Sequence, residues 1–296
     1  MPDSQEKQTS FPIQLVAIPA TVIVLIFTVI YLHTESDRQR TYPLTEYDID
    51  IPNDSLSVEH GRRIFTIRGC VDCHGDNAGG KIVESGVLTG TIVAPNLTTG
   101  NGSALEGYTG EDIVRVIREG VKPNGQSVVL MPSHKFRVIH KRDIESLVAY
   151  LRHLPPVNRD LPATRLNFPI RFYYFLNREL GLFPANLIQR PVEFPQIDST
   201  DVYEKGRYLA SSCVGCHGHH LEGGPVPGAP PYWPEAPDLT ASGPLGDWTK
   251  DQFKTAMKNG VTPDGRHLDE QYMPWPAFGQ LTDEEFDLIW NYLQTL

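Results

Sequence analysis

The sequence predicts a mainly α-helical protein, with one N-terminal helix long enough to cross a bilayer followed by two copies of one small helical domain. Three observations predict it. Phe11 to Leu32 is an uncharged run of 22 residues, a set of short motifs recurs at an offset near 142, and each copy closes with an amphipathic helix. A length of 296 residues suits two domains. The 25 prolines and 25 glycines call for short helices and many loops. A net charge of -10 excludes nucleic acid as a partner, because no basic stripe is available for phosphate.

Residues 1–32 read as a transmembrane anchor. At about 1.5 Å per residue the uncharged run reaches roughly 33 Å, the thickness of a hydrocarbon core. A cleaved signal peptide is the rival reading. The run is longer than a typical signal core, and Thr34, Glu35, Ser36 and Asp37 offer no small-residue cleavage site. Pro19 is tolerable as a kink. Residues 33–56 are polar and acidic without helical periodicity, and read as an extended tether.

The two copies occupy residues 57–155 and 200–296. Gly61-Arg62 answers to Gly206-Arg207, and Cys70-Val71-Asp72-Cys73-His74 to Cys213-Val214-Gly215-Cys216-His217. Ala94-Pro95-Asn96-Leu97-Thr98 answers to Ala236-Pro237-Asp238-Leu239-Thr240. Tyr108-Thr109 and Trp248-Thr249 each precede a short helix, and Met131-Pro132 matches Met273-Pro274. The closing helices carry their apolar stripes at Ile144, Leu147, Val148 and Leu151, and at Phe286, Ile289, Trp290 and Leu293.

All four cysteines lie in the two CxxC pairs, and each pair runs directly into a histidine. That is the signature of haem attachment by two thioethers, with the histidine as an iron ligand. One structural zinc held by four cysteines is the alternative, but it has no use for the two histidines or for the two Met-Pro pairs. Each copy resembles a class I cytochrome c domain, in which an N-terminal helix runs into CxxCH and crosses a C-terminal helix. The fold class that follows is a transmembrane helix and two tandem class I cytochrome c domains, and the cofactors are two covalently attached haem c groups. The resemblance implies attachment at Cys70, Cys73, Cys213 and Cys216, and iron ligation by His74 with Met131 and by His217 with Met273. A Met/His pair raises the potential and leaves no open position at the iron. The carbonyls of Pro95 and Pro237 are implied as acceptors for the second nitrogen of each histidine. Met257 reads as core packing. His134 and His140 match Pro276 and Thr282 in the second copy and so read as surface residues, as do His60, His153, His219, His220 and His267.

The connector, residues 156–199, holds prolines at 156, 162, 169, 184, 191 and 195 around an aromatic run from Phe168 to Phe183. It reads as a rigid cover that locks the two domains together, ahead of a second reading in which it faces the membrane or a partner. Residues 57–156 carry 12 basic and 10 acidic groups, and residues 200–296 carry 6 and 14, so the second copy is the acidic one. Glu284, Glu285 and Asp287 are candidates to steer a basic partner.

The function expected is electron relay between a membrane redox complex and a partner such as a basic soluble cytochrome. As the resemblance to c-type cytochromes implies, haem attachment takes place outside the cytoplasm in bacteria, so the body is expected on the periplasmic face of the bacterial cytoplasmic membrane, with a single pass through the lipid bilayer. Lys7 before the helix against Arg38 and Arg40 after it votes weakly for the opposite orientation. The Gly-Gly pair after CxxCH, APNLT or APDLT, and Met-Pro resemble the cytochrome subunits of membrane-bound alcohol and sugar-acid dehydrogenases. Those usually carry three haem motifs, and this chain has two. The enzyme alternative is a dihaem peroxidase, in which one iron must be five-coordinate, and two methionine ligands speak against it.

Overall fold

The structure is a computed structural model that describes residues 13–196, 198, 200–227, 229 and 232–296. Lys7 and Phe11, the expected start of the apolar run, lie outside the described residues. The first element, α1 (Ile13–Gln39), contains Pro19 and carries outward-facing apolar side chains from Ile18 to Leu32. It does not stop where the apolar run stops. His33 pairs with Asp37, Glu35 with Arg38, and the Thr34 hydroxyl bonds back to Ile30 O, so polar side chains spaced three and four apart carry the helix through Gln39.

The segment after Gln39 is extended, as expected for a tether, but it is fastened to the first repeat. Tyr42 N donates to Gly125 O at 2.9 Å, the Arg115 guanidinium donates twice to Thr45 O, and Tyr47 OH donates to the buried Glu119 at 2.7 Å. Ile49 and Ile51 pack on the first core. Alternating side chains of an extended strand of chain are thus spent on docking, which a composition-based reading of polarity misses.

The first repeat contains α2 (Ser55–Ile67), α3 (Cys70–His74), the strands β1 (Lys81–Gly86) and β2 (Gly90–Ala94), α4 (Gly110–Glu119), α5 (Ser133–Phe136) and α6 (Lys141–His153). The connector supplies β3 (Arg165–Leu166) and α7 (Phe168–Leu176). The second repeat contains α8 (Val202–Ala210), α9 (Val214–His217), α10 (Lys250–Asn259), α11 (Trp275–Phe278) and α12 (Asp283–Leu293). In each repeat the first helix crosses the last at a glycine. A Cβ on Gly61 would stand 1.9 Å from Ser146 O, and one on Gly206 would stand 2.4 Å from Leu288 O. The expected apolar stripes are buried, with Ile144, Leu147, Val148 and Leu151 in one core and Phe286, Ile289 and Leu293 in the other. Thr109 and Thr249 begin α4 and α10 with the same capping box, closed by Asp112 and by Gln252. Met257 is buried in the second core.

The antiparallel sheet β1-β2-β3 was not anticipated, because β1 is exposed throughout and shows no alternation to read. The connector also does something other than cover the two repeats. Its residues 178–194 pack onto the first repeat and onto the chain before it: Arg190 pairs with Glu119 at 3.1 Å, Glu193 O accepts from Arg118, Phe194 lies 3.9 Å from the Arg118 guanidinium, and Arg178 pairs with Asp37 at 2.6 Å. Its helix α7 packs on α1, with Phe168 stacked on Phe27 at 3.9 Å and Tyr174 OH donating to Asp37 at 3.0 Å.

Candidate functional site

Each CxxCH lies at the end of the first repeat helix, where the chain turns into the short helices α3 and α9. The loop that follows folds back on the histidine in the same way twice. Gly80 N donates to His74 O and Gly223 N to His217 O, both at 2.8 Å. Leu97 N donates to Ala78 O and Leu239 N to Leu221 O, again both at 2.8 Å. Ala78 and Leu221 both take positive φ, an uncommon state for residues with a side chain, and they occupy equivalent positions. At Gly80 and Gly223 the left-handed backbone leaves no room for a Cβ, which would come within 2.5 Å of Pro95 C or Ala236 O.

This return brings the Ala-Pro segments against the histidines. His74 Nδ1 lies 3.0 Å from Pro95 O, and His217 Nδ1 lies 2.8 Å from Pro237 O. A carbonyl can only accept, so Nδ1 carries the proton and the Nε2 lone pair is left free to bind a metal. Both rings are buried, and burial pushes their pKa down, outweighing the carbonyl bond and favouring the neutral ring that ligation needs. Burial also pushes the Cys70 and Cys213 thiols up to about 12. Surroundings of that kind suit an uncharged thioether better than a thiolate. Among the described residues no group of three or more His, Cys, Asp and Glu side chains converges on one point.

Met131 packs at the margin of the first core and Met273 at the margin of the second. Each lies in a repeated tight turn, closed by Ser133 N donating to Met131 O at 2.8 Å and by Trp275 N donating to Met273 O at 2.7 Å. A haem group fits these residues: two soft thiols, a neutral imidazole held in one tautomer and a thioether sulfur on an apolar surface, in both repeats. Arg68 Nε and Ser212 Oγ, beside Cys70 and Cys213, are buried without a partner, which suits a site that a polar-edged group completes.

The two repeats meet through equivalent positions. Arg63 on α2 grips Glu285 at the start of α12, with contacts of 2.5 and 2.9 Å. Tyr208, which matches Arg63 in the repeat, donates to Asp143, which matches Glu285. The Arg68 guanidinium donates to its own counterpart Ser211 at 2.8 Å and lies 4.7 Å from the Tyr208 ring centroid. Its charge is felt by both Cys70 and Cys213, and Asp72 and Lys135 of the first repeat act on Cys216. The two attachment motifs are therefore neighbours across a pseudo-twofold contact.

This contact was missed in the sequence, although the repeat alignment pairs its members. It also corrects three histidines expected at the surface. His60 lies 2.7 Å from Asp143, the His140 ring stacks on Tyr208 at 3.6 Å, and His134 has a buried Nδ1. Two of the expected steering carboxylates have other work as well. Glu285 is taken by Arg63, and Asp287 is paired with Lys250 and Lys254, leaving Glu284 exposed.

Comparison with known proteins agrees with this geometry. Residues 57–151 match the family "Cytochrome C oxidase, cbb3-type, subunit III", and residues 203–296 match the family "Cytochrome c". Each half of the chain therefore carries a match to a family of c-type cytochrome domains, a class that transfers electrons through haem c. Its relatives include a nicotinate dehydrogenase subunit of Pseudomonas putida, 28% identical over 69% of this chain and 18% of that protein. The fructose dehydrogenase cytochrome subunit of Gluconobacter japonicus is 24% identical over 69% of this chain and 42% of its own length. The cytochrome c subunit of alcohol dehydrogenase (quinone) from Gluconobacter oxydans is 24% identical over 70% and 48%. The chain spans less than half the length of each of these relatives.

Proposed function

We propose that this chain is the membrane-anchored electron relay of a dehydrogenase-type redox complex, with two tandem haem domains on the periplasmic side of the membrane. Haem c, when bound, supplies one-electron chemistry at iron. In this reading Cys70 with Cys73 and Cys213 with Cys216 hold the two groups, and Pro95 O and Pro237 O fix the imidazoles of His74 and His217. Met131 and Met273 would supply the second protein ligand to each iron, which would leave no position for a small molecule and suit electron transfer with little rearrangement. The domain limits proposed are 57–155 and 200–296. The observation that carries the reading is the duplicate site: two buried imidazoles with Nδ1 tied to a Pro carbonyl, each followed by a Met-Pro turn on its own core.

The anchor reading rests on α1, an apolar helix whose outer surface water does not favour. The orientation follows from the place of c-type haem attachment in bacteria, outside the cytoplasm. Relatives named as cytochrome subunits of dehydrogenases support a partner that oxidises small molecules and hands its electrons to this chain.

Met131→Ala and Met273→Ala test the assignment. Each variant should remove the weak near-infrared iron-methionine band of one haem, let carbon monoxide bind that haem after reduction, and lower its potential by a sizeable part of the roughly 0.8 V that axial ligands span. A variant that keeps the full band would assign the sulfur elsewhere. Strong carbon monoxide binding by the parent protein would favour the peroxidase reading.

A further inference from the structure

We infer that the protein touches the bilayer a second time, through the turn of the β1-β2 hairpin of the first repeat and the outer face of α7 of the connector. The inference rests on the membrane-anchor reading of α1 and goes beyond it, because it fixes how the haem-bearing body sits on the lipid surface.

Depth along α1 supplies the scale. Phe27 lies five residues before Leu32, so at about 1.5 Å per residue it lies roughly 8 Å inside the end of the uncharged run. Phe168, the first residue of α7, stacks flat on Phe27, with ring centroids 3.9 Å apart and 11° between the planes. The start of α7 therefore shares the depth of Phe27. From there α7 rises along α1: Arg171 lies over the Tyr31 ring at 4.7 Å and 3.6 Å from Glu35, and Tyr174 reaches Asp37. Asp37 is almost fully buried and also pairs with Arg178 at 2.6 Å. This clamp fixes the height of α7 on the anchor.

The hairpin turn is tied to the deep end of α7. Asn167 N donates to Thr89 O at 3.2 Å, the Asn167 side chain donates to Val87 O at 3.0 Å, and Ile170 N donates to Leu88 O at 3.1 Å. Val87 and Leu88 consequently stand near the level of Phe27 to Tyr31, yet they are 84% and 70% exposed within the protein. Phe172, Tyr173, Phe175 and Leu176 on α7 are exposed too. Water is a poor solvent for such a cluster at the end of a hairpin. Lipid is the occupant the geometry selects, because the patch is continuous with the lipid-facing surface of α1. The polar groups are arranged accordingly. Glu84 and Arg165 lie further along the strands, and Arg171 and Arg178 are turned toward the anchor's acidic end. An apolar tip with aromatic flanks and a charged rim is the pattern of interfacial insertion.

The test uses the full-length, haem-loaded protein reconstituted into phosphatidylcholine and phosphatidylglycerol vesicles that carry a photoactivatable group on an acyl chain. After illumination, adducts are mapped by peptide mass spectrometry. Adducts are expected in residues 17–32, and also at Val87, Leu88 and along residues 168–176. Adducts in 17–32 alone would overturn the second contact and leave the anchor standing. Adducts at the hairpin and α7 with none in 17–32 would overturn the anchor reading and with it the depth scale used here. A Val87→Asp/Leu88→Asp variant should lose the hairpin adducts while its anchor adducts and haem spectrum stay unchanged. Hairpin adducts undiminished in that variant would also overturn the inference.

Discussion

His74 and His217 do little by themselves, and their neighbours make them usable. A backbone carbonyl settles the tautomer, burial keeps the ring neutral, and a glycine with no room for a Cβ lets the carbonyl come close. These features were legible as pattern, since CxxCH, Ala-Pro and Met-Pro occur twice at one spacing. Arg68 was not legible, because the sequence around it says nothing of a partner that lies 143 residues away. Its guanidinium stands between the two attachment motifs, so it should act on both haems. A nearby positive charge disfavours the oxidised iron, which carries one more positive charge than the reduced one. Arg68→Met should therefore lower both midpoint potentials by tens of millivolts, the scale set by a unit charge at about 10 Å in an effective dielectric near 20. Potentiometric titration followed in the visible bands checks this. A shift confined to one haem would place Arg68 in one site only, and no shift would leave it a purely structural contact.

At the scale of elements, the repeat built one helix crossing twice and then used equivalent positions to join the copies. Two carboxylates at equivalent helix N-termini, Asp143 on α6 and Glu285 on α12, receive the cross-repeat bonds. Burial works against the charge on each. Hydrogen bonds outweigh it, from His60 and Tyr208 for Asp143 and from Arg63 for Glu285, and both carboxyls sit below their ordinary values. A lowered carboxyl pKa contributes stability above its unfolded value of about 4, and that contribution is lost as pH falls through the folded value. The contact between the repeats should hold at neutral pH and loosen below about pH 4. Small-angle scattering in detergent should then report a larger radius, while the axial-ligand bands persist until lower pH. Asp143→Asn with Glu285→Gln should show the expanded form at neutral pH. An unchanged radius in that double variant would mean that the apolar contacts between the repeats suffice alone. The helices of this level were legible from apolar spacing and threonine caps. The sheet and the docking of residues 40–51 were not, because exposed strands and extended segments carry no period when only one or two side chains are buried.

For the whole molecule the contrasts of charge and polarity set direction. The helix α1, α7 and the hairpin pack together, and in the proposed relay the acidic second repeat is the part offered to a diffusing acceptor. Glu284 is the one expected steering group that remains exposed, but the loops next to Met273 offer others. Glu235 and Glu270 are exposed on segments joined by the edge-to-face contact of Trp233 and Tyr272, with rings 5.2 Å apart. Reversing both to Lys should slow electron transfer to a basic soluble cytochrome at low salt, and the difference should fade as the Debye length shortens to about 8 Å near physiological strength. Stopped-flow rates across a salt series measure it, and equal rates throughout would place docking elsewhere. The central claim is that the chain holds two haem c groups in two self-contained sites, one per repeat. Intact-mass spectrometry of the matured full-length protein tests it most directly. The mass should exceed that of the polypeptide by two haems, and Cys70→Ser/Cys73→Ser should remove one of them while the haem at Cys213 and Cys216 stays attached. A parent mass with a single haem, or with none, would contradict the account.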